Sequence, residues 1–248
     1  MLREKLRRYR NDICLFLEEQ YILESGKPIR LEPWQKEKVL RPVFETKDER
    51  GLRRYNTALI GLPKKNGKST LSAGVALYML FIDCEGAEIY SIAGDKDQAK
   101  IIFRKTKEAI ERNPLLHESA RVLGDSIEIP ELGNRYQVLS ADAPTAHGLN
   151  PTCVPADELW NQPNRDLWDA LTISPVVREP LYFITTYAGT DATSLLYELY
   201  QMGLKGEDPR FYMFWVEENL ASWVKKEYLE QQRRRLPLEV YQRLHENK

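Results

Sequence analysis

Residues 61–70 read Gly61-Leu62-Pro63-Lys64-Lys65-Asn66-Gly67-Lys68-Ser69-Thr70, and no other stretch constrains the fold so strongly. An apolar run, Thr57-Ala58-Leu59-Ile60, precedes it. A helical run from Ser69 to Phe81 follows, with Gly74 as its only Gly or Pro. A strand, a tight loop and a helix in that order form a phosphate-binding loop when the loop carries Gly, four residues, then Gly-Lys-Ser/Thr. Here the Gly-Lys-Ser core is intact, but Leu62 stands where the first Gly belongs and Gly61 is one place early. Such a loop points unpaired backbone N–H groups at an anion, and the helix dipole adds to the attraction. Gly67 lets the backbone approach phosphate, Lys68 belongs at the β- and γ-phosphates, and the Ser69 hydroxyl belongs on Mg²⁺. Lys65, Asn66 and Thr70 complete the predicted nucleotide contacts. The plainer alternative is a strand–turn–helix with a surface lysine.

The chain of 248 residues suffices for one large domain, or one domain with an appendage. A net charge of −1 excludes the global basicity that advertises nucleic acid. Arg3, Lys5, Arg7, Arg8 and Arg10 crowd one end and Arg233-Arg234-Arg235 lie near the other. Such clusters touch phosphate backbones or, more often, form solvated helix faces. Cys14, Cys84 and Cys153 are too far apart for a metal site or a disulfide framework, which favours a reducing compartment. The charged N-terminus is no secretory signal, and the longest apolar run, Val75 to Ile82, is too short for a bilayer.

Periodicity predicts a first amphipathic helix over residues 2–23, a turn at Ser25-Gly26-Lys27-Pro28, and a second helix from Pro33 to about Phe44. From Tyr55 strands alternate with helices. Strands are expected at 55–61, 88–93, 120–123, 126–129, 135–139, 152–156, 181–186 and 211–216. Helices are expected at 69–84, 96–112, 165–171, 194–204 and from about 222. This alternation predicts an α/β fold, a mainly parallel central sheet with helices on both faces and an N-terminal helical extension. The expected division is 1–54 for that extension, 55–216 for the P-loop core and 217–248 for a C-terminal helical linker.

A P-loop ATPase also needs carboxylates for Mg²⁺ and for the attacking water, expected at the end of a buried strand next to the loop. Thr152-Cys153-Val154-Pro155-Ala156-Asp157-Glu158 meets that demand. Asp157 would hold the metal through its water shell and Glu158 would be the general base. Adjacent carboxylates at an apolar strand are costly without a cation. A helix N-cap is the alternative for Asp157. Pro155 cannot donate in a central ladder, so the strand is expected to end early.

Taken together these residues resemble the ATPase domain of the large terminase subunit, the DNA-packaging motor of tailed bacteriophages, over about residues 31–248. Leu31-Glu32-Pro33-Trp34-Gln35 resembles that family's adenine-reading motif. The resemblance gives Gln35 the adenine edge and leaves Trp34 either beside the ring or anchoring the second helix. The missing first Gly is itself a family trait, and Lys64 holds the place of the family's early basic residue, where it is expected to contact the γ-phosphate. Tyr90 to Ala99, Ala146 to Pro151, and Ile184-Thr185-Thr186-Tyr187-Ala188-Gly189-Thr190 resemble further family segments. The last is the coupling motif, with Thr185 and Thr186 at its centre and Thr186 a candidate γ-phosphate sensor. At the place of an arginine that acts in trans in some relatives stands His147, a poor substitute for a guanidinium. Arg165 and Arg178 are the alternative trans-acting residues.

The resemblance implies an ASCE-type P-loop ATPase that uses ATP and Mg²⁺ to move double-stranded DNA into a procapsid. It implies the portal protein, the small terminase subunit and a homo-oligomeric ring as partners, and no membrane. The place implied is the cytoplasm of the infected host, with transient docking on the procapsid. The family continues into a nuclease domain, so the chain is expected to be an ATPase-domain fragment without nuclease activity. A helicase-like translocase and a nucleotide-binding ring component without turnover are the rivals. Of the remaining residues, Trp160 is expected to be packing, His117 and His245 surface residues, and Asp142 and Asp191 turn residues.

Overall fold

The computed structural model describes residue 4 and residues 6–93, 96–139, 148–161, 165–173 and 179–248. Asp142, Ala146, His147 and Arg178, named above, lie outside them, as do residues 94 and 95 of the stretch Tyr90 to Ala99. Among the described residues eight strands form one sheet. They are β1 Thr57–Gly61, β2 Glu88–Ala93, β3 Arg121–Val122, β4 Ser126–Ile129, β5 Asn134–Val138, β6 Cys153–Asp157, β7 Leu181–Thr186 and β8 Phe211–Trp215. Their order across the sheet is β3-β4-β5-β2-β6-β7-β1-β8. The five ladders from β5 to β8 are parallel, and only the β3-β4-β5 meander is antiparallel.

Alternate residues of each strand face opposite sides, and both sides are apolar. Ala58 and Ile60 of β1 enter a core with Val75, Leu77, Ile102 and Phe103. Leu59 points the other way, into a core with Trp168, Leu171, Leu196 and Leu199. The first core lies under α1 (Ile13–Gln20), α3 (Lys68–Tyr78) and α4 (Lys96–Arg112). The second lies under α6 (Asp166–Ile173) and α7 (Leu195–Lys205). This is the expected fold class, with two covered faces.

Local chemistry moves several boundaries. The expected first helix is interrupted: a 3-10 turn at Arg7–Tyr9 precedes α1, which begins at Ile13 because Asp12 leaves helical geometry and accepts a hydrogen bond from Leu15 N at 2.8 Å, and α1 ends at Gln20. The second, α2 (33–45), contains a π-helical turn at Lys36–Leu40. An unforeseen α5, Pro114–Ser119, is set by Asn113, whose side chain accepts from Leu115 N and Leu116 N, with proline at the first helical position. The C-terminal helix is two helices, α8 (Lys226–Arg235) and α9 (Leu238–His245), separated at Pro237. Strand β6 does not end early: it runs through Pro155 to Asp157, while its ladder toward β2 skips Val154 and Pro155. Among the described residues no helix is long and apolar enough to cross a membrane.

Candidate nucleotide site

The loop sits between β1 and α3, as its sequence requires. Gly67 is the N-cap of α3 at φ 75°, ψ 20°, a left-handed conformation that costs glycine nothing. Lys65 is also left-handed, at φ 71°. Gly61 has a different task. It pairs with Trp215 of β8, and a Cβ there would lie 2.0 Å from the indole. Its early position is therefore a packing requirement.

Strand β7 lies between β1 and β6, so the acidic strand is one strand away from the loop rather than adjacent to it. The gap is closed by side chains. Ser69 Oγ donates to Asp157 Oδ2 at 2.8 Å, and Thr185 Oγ1 of the intervening strand donates to Asp157 Oδ1 at 3.1 Å. Ser72 Oγ lies 2.9 Å from Thr185 Oγ1, which extends the network along α3. Lys68 Nζ donates to the carbonyls of Leu62 (2.9 Å) and Pro63 (3.2 Å) and lies 3.9 Å from Glu158 Oε1. Thr186 is buried beside this network and donates to Tyr187 O.

Burial dominates the electrostatics. It lowers the Lys68 pKa against the pull of Glu158 and Asp157, and raises that of Asp157 against Ser69, Lys68 and Thr185. It pushes Glu158 up to about 7, with Lys68 opposing and the Asp157 charge adding. A buried carboxylate facing a hydroxyl oxygen offers two hard oxygen donors, which is what Mg²⁺ takes. Asp157 and Ser69 therefore fit the metal, which would add to the single positive charge that Lys68 sets against this buried pair of carboxylates.

A cleft of about 870 Å³ opens from the loop, within the range of small-molecule sites. Lys64, Lys65, Gly67, Lys68, Ser69, Thr70, Gln35 and Glu158 line it. Gln35 is buried, and its Oε1 accepts from Glu32 N at 2.9 Å. Its Nε2 lies 3.8 Å from where a Cβ on Gly67 would be. Asn66 has no exposed surface and is turned away from the cleft wall, accepting from Leu220 N and Ala221 N. Trp34 is not brought in either. It stacks on Phe214 at 6.4 Å and donates to Glu32, so its packing supports the anchoring role. Arg165 lies apart, ion-paired to Asp169 and Glu198 on the α6–α7 face.

Sequence reasoning missed several neighbours. Ile29, Arg30 and Trp223 also line the cleft. The Tyr187 ring lies 5.0 Å from Lys68 Nζ and 5.3 Å from Lys64 Nζ. Trp160, expected to be packing, donates its indole N–H to Glu158 Oε2 at 2.7 Å. His245, expected at the surface, is buried against Tyr241 and Tyr228. Only the aromatic residue two places after Glu158 was a usable signal. Tyr187 lies inside the Ile184–Thr190 segment and Ile29-Arg30 directly precede Leu31–Gln35, while Trp223 and His245 come from segments distant in sequence. Asp191 does make the expected turn, accepting from Thr193 N and Oγ1.

A parallel sheet with an extra strand between the loop strand and the acidic strand defines a P-loop fold of the ASCE type. The family model for the terminase large subunit, ATPase domain, matches residues 33–205, and the chain belongs to that family. It is 30% identical over 209 residues to the terminase large subunit of Enterobacteria phage HK97, covering 79% of this chain and 40% of that protein. The chain thus spans about two fifths of the curated relative's length. Its fold is similar to the crystal structure of the HK97 large terminase, with TM-score 0.83 and 23% identity over 95% of this chain and 54% of that one. It is also similar to the ATPase domain of the Thermus phage P74-26 large terminase, with TM-score 0.62 and 21% identity over 87% and 98% of the two chains. A large terminase from a thermophilic bacteriophage, solved with ADP, matches at TM-score 0.61 and 13% identity over 78% and 48%.

Proposed function

We propose that this chain hydrolyses ATP with Mg²⁺ and that the turnover drives double-stranded DNA into a viral procapsid. One observation carries the reading: Lys68, Ser69, Asp157 and Glu158 converge at one end of the sheet, across β7, within 2.8–3.9 Å of one another in pairs. The γ-phosphate belongs between Lys68 and Lys64, with Gln35 at the adenine edge and the backbone of residues 65–70 around the phosphates. Asp157 and Ser69 would hold the metal. Glu158 takes a proton from the water that attacks the γ-phosphorus, while the bond from that phosphorus to the β–γ bridging oxygen breaks and ADP leaves. Thr185 bonds Asp157 directly, so the reading makes Thr185 and Thr186 the link from hydrolysis to movement.

The chain's place in the family supports a ring of copies acting with a portal protein, a small terminase subunit and DNA in the host cytoplasm, docked on the procapsid during packaging. Residues 1–54 are read as the helical extension, 55–216 as the ATPase core and 217–248 as the C-terminal unit. Phosphate release from ATP, measured over a range of protein concentrations with Mg²⁺ and with EDTA, tests the reading. Turnover that needs Mg²⁺ and is lost in Glu158→Gln with ATP binding retained is expected. Near wild-type turnover in Glu158→Gln would show the base to be wrong. Specific activity rising with concentration is the mark of a residue supplied by a neighbouring copy.

A further inference from the structure

Glu158 sits at φ 54°, a left-handed conformation that a non-glycine residue rarely adopts, and its N–H is held by Thr185 O at 3.0 Å. Its backbone is thus fixed by β7, and only side-chain contacts remain to aim the carboxylate. One oxygen, Oε1, faces Lys68 at 3.9 Å across the cleft. The other, Oε2, is taken by Trp160 Nε1 at 2.7 Å. An indole has a single donor, and here it is spent on the residue read as the hydrolytic base. An N–H donated to a carboxylate is among the stronger hydrogen bonds.

Trp160 is itself held from two sides. Its ring packs 5.5 Å from Tyr187, and a Cβ on Gly189 would come within 3.2 Å of Trp160 Cβ. Both partners belong to the segment after β7. From the other side the guanidinium of Arg243, on α9, stands 5.5 Å over the indole, within cation–π reach. The same C-terminal unit touches the other parts of the site. Leu244 O accepts from Lys64 N at 2.7 Å, and Asn247 Oδ1 accepts from Ala188 N at 2.8 Å.

We propose that Trp160 is the positioning residue of the base Glu158, and that Arg243 of α9 acts through it. The indole orients the carboxylate so that its free oxygen faces the cleft, and α9 and the segment after β7 fix the indole. The base thereby takes its aim from the C-terminal helix and from the coupling segment together. This rests on Glu158 being the base.

Steady-state ATPase kinetics and ATPγS binding on Glu158→Gln, Trp160→Phe, Arg243→Met and the Trp160→Phe/Arg243→Met double variant test it. Phenylalanine keeps the stack on Tyr187 and under Arg243 but has no N–H. Trp160→Phe is expected to lower kcat by roughly tenfold to a hundredfold, with KM, ATPγS affinity and melting temperature near wild type. Arg243→Met is expected to lower kcat by about two- to fivefold and to add nothing in the double variant. A Trp160→Phe kcat within twofold of wild type, while Glu158→Gln is dead, would reduce Trp160 to packing and leave the base standing. A loss in KM or binding instead of kcat, or additive effects in the double variant, would also overturn the proposal. An active Glu158→Gln removes the base, and the proposal falls with it. Should Trp160→Phe not fold, the indole N–H resonances of wild type and Glu158→Gln decide: one strongly shifted resonance supports the contact, and none shifted refutes it.

Discussion

Asn66 joins the loop to a strap formed by residues 217–223, and removing its side chain has a magnitude that follows from the bonds. Its Oδ1 accepts from Leu220 N at 3.0 Å and Ala221 N at 3.1 Å, while its Nδ2 donates to Pro63 O and Lys64 O at 3.2 and 3.4 Å. In Asn66→Ala the two carbonyls keep partners in Lys68 and Asn219, and Ala221 N keeps Asn219 Oδ1. Leu220 N is the group left without its acceptor, at a half-buried place where water reaches it. Two good bonds at about 1 kcal/mol net each, with the long pair discounted, give a loss of about 2 kcal/mol. For a chain of this size that is a fall of roughly 4–8 °C in melting temperature. Asn66→Asp keeps the acceptor but turns a carboxylate oxygen onto the Pro63 and Lys64 carbonyls at a site with no exposed surface, so it should cost at least as much stability as Asn66→Ala, and it adds a negative charge beside the phosphates of a bound nucleotide. It should therefore weaken ATPγS binding more than Asn66→Ala does. Urea unfolding and ATPγS titration of both variants check this. A loss under about 0.5 kcal/mol for Asn66→Ala would refute the role of this side chain as the tie between loop and strap.

Gly61→Ala should cost about 1–3 kcal/mol in urea unfolding, because the new methyl meets the Trp215 indole, and ATPγS affinity should change little in the folded fraction. Lys68→Ala should abolish ATPγS binding by calorimetry. In the ligand-free protein it should also lower stability in urea unfolding, since it removes the cation that buried Glu158 and Asp157 face and the donor to Leu62 O and Pro63 O. Of the three thiols, only exposed Cys84 should react with a thiol reagent in the native state. Burial raises Cys14 to about 12 and shifts Cys153 in the same direction, and Cys84→Ser should remove the fast phase.

The loop and the sheet were legible because each rests on short-range signals. Gly-Lys-Ser after an apolar run specifies a strand–loop–helix, and alternating strands and helices specify a parallel sheet. Asn113-Pro114 was an equally local signal for α5. Strand order was not legible, because nothing in Leu181–Thr186 as a stretch of sequence says that it inserts between β1 and β6; that placement comes from packing two cores at once. The same reason hid the reach of residues 217–248. Read as a charged helical tail, they instead return to the loop through Trp223 Nε1 to Lys65 O and Lys64 N to Leu244 O, and to the start of α2 through Ser222 N to Glu32 Oε1. Gly61 is opaque for a related cause: the sequence places it near the motif, but its partner is Trp215, 154 positions away in the chain and adjacent in the sheet. Trp160 reads as packing because an aromatic side chain usually is, and only the 2.7 Å bond to Glu158 distinguishes it.

The most direct test of the central claim is a crystal structure of this chain with ATPγS and Mg²⁺. The γ-thiophosphate is expected between Lys68 and Lys64, the metal beside Ser69 and Asp157, the adenine at Gln35, and a water between the γ-phosphorus and Glu158. A nucleotide seated elsewhere, such as in the separate cavity of about 320 Å³ beside Ala188, Asp191 and Tyr200, would contradict it. So would a metal held away from Asp157.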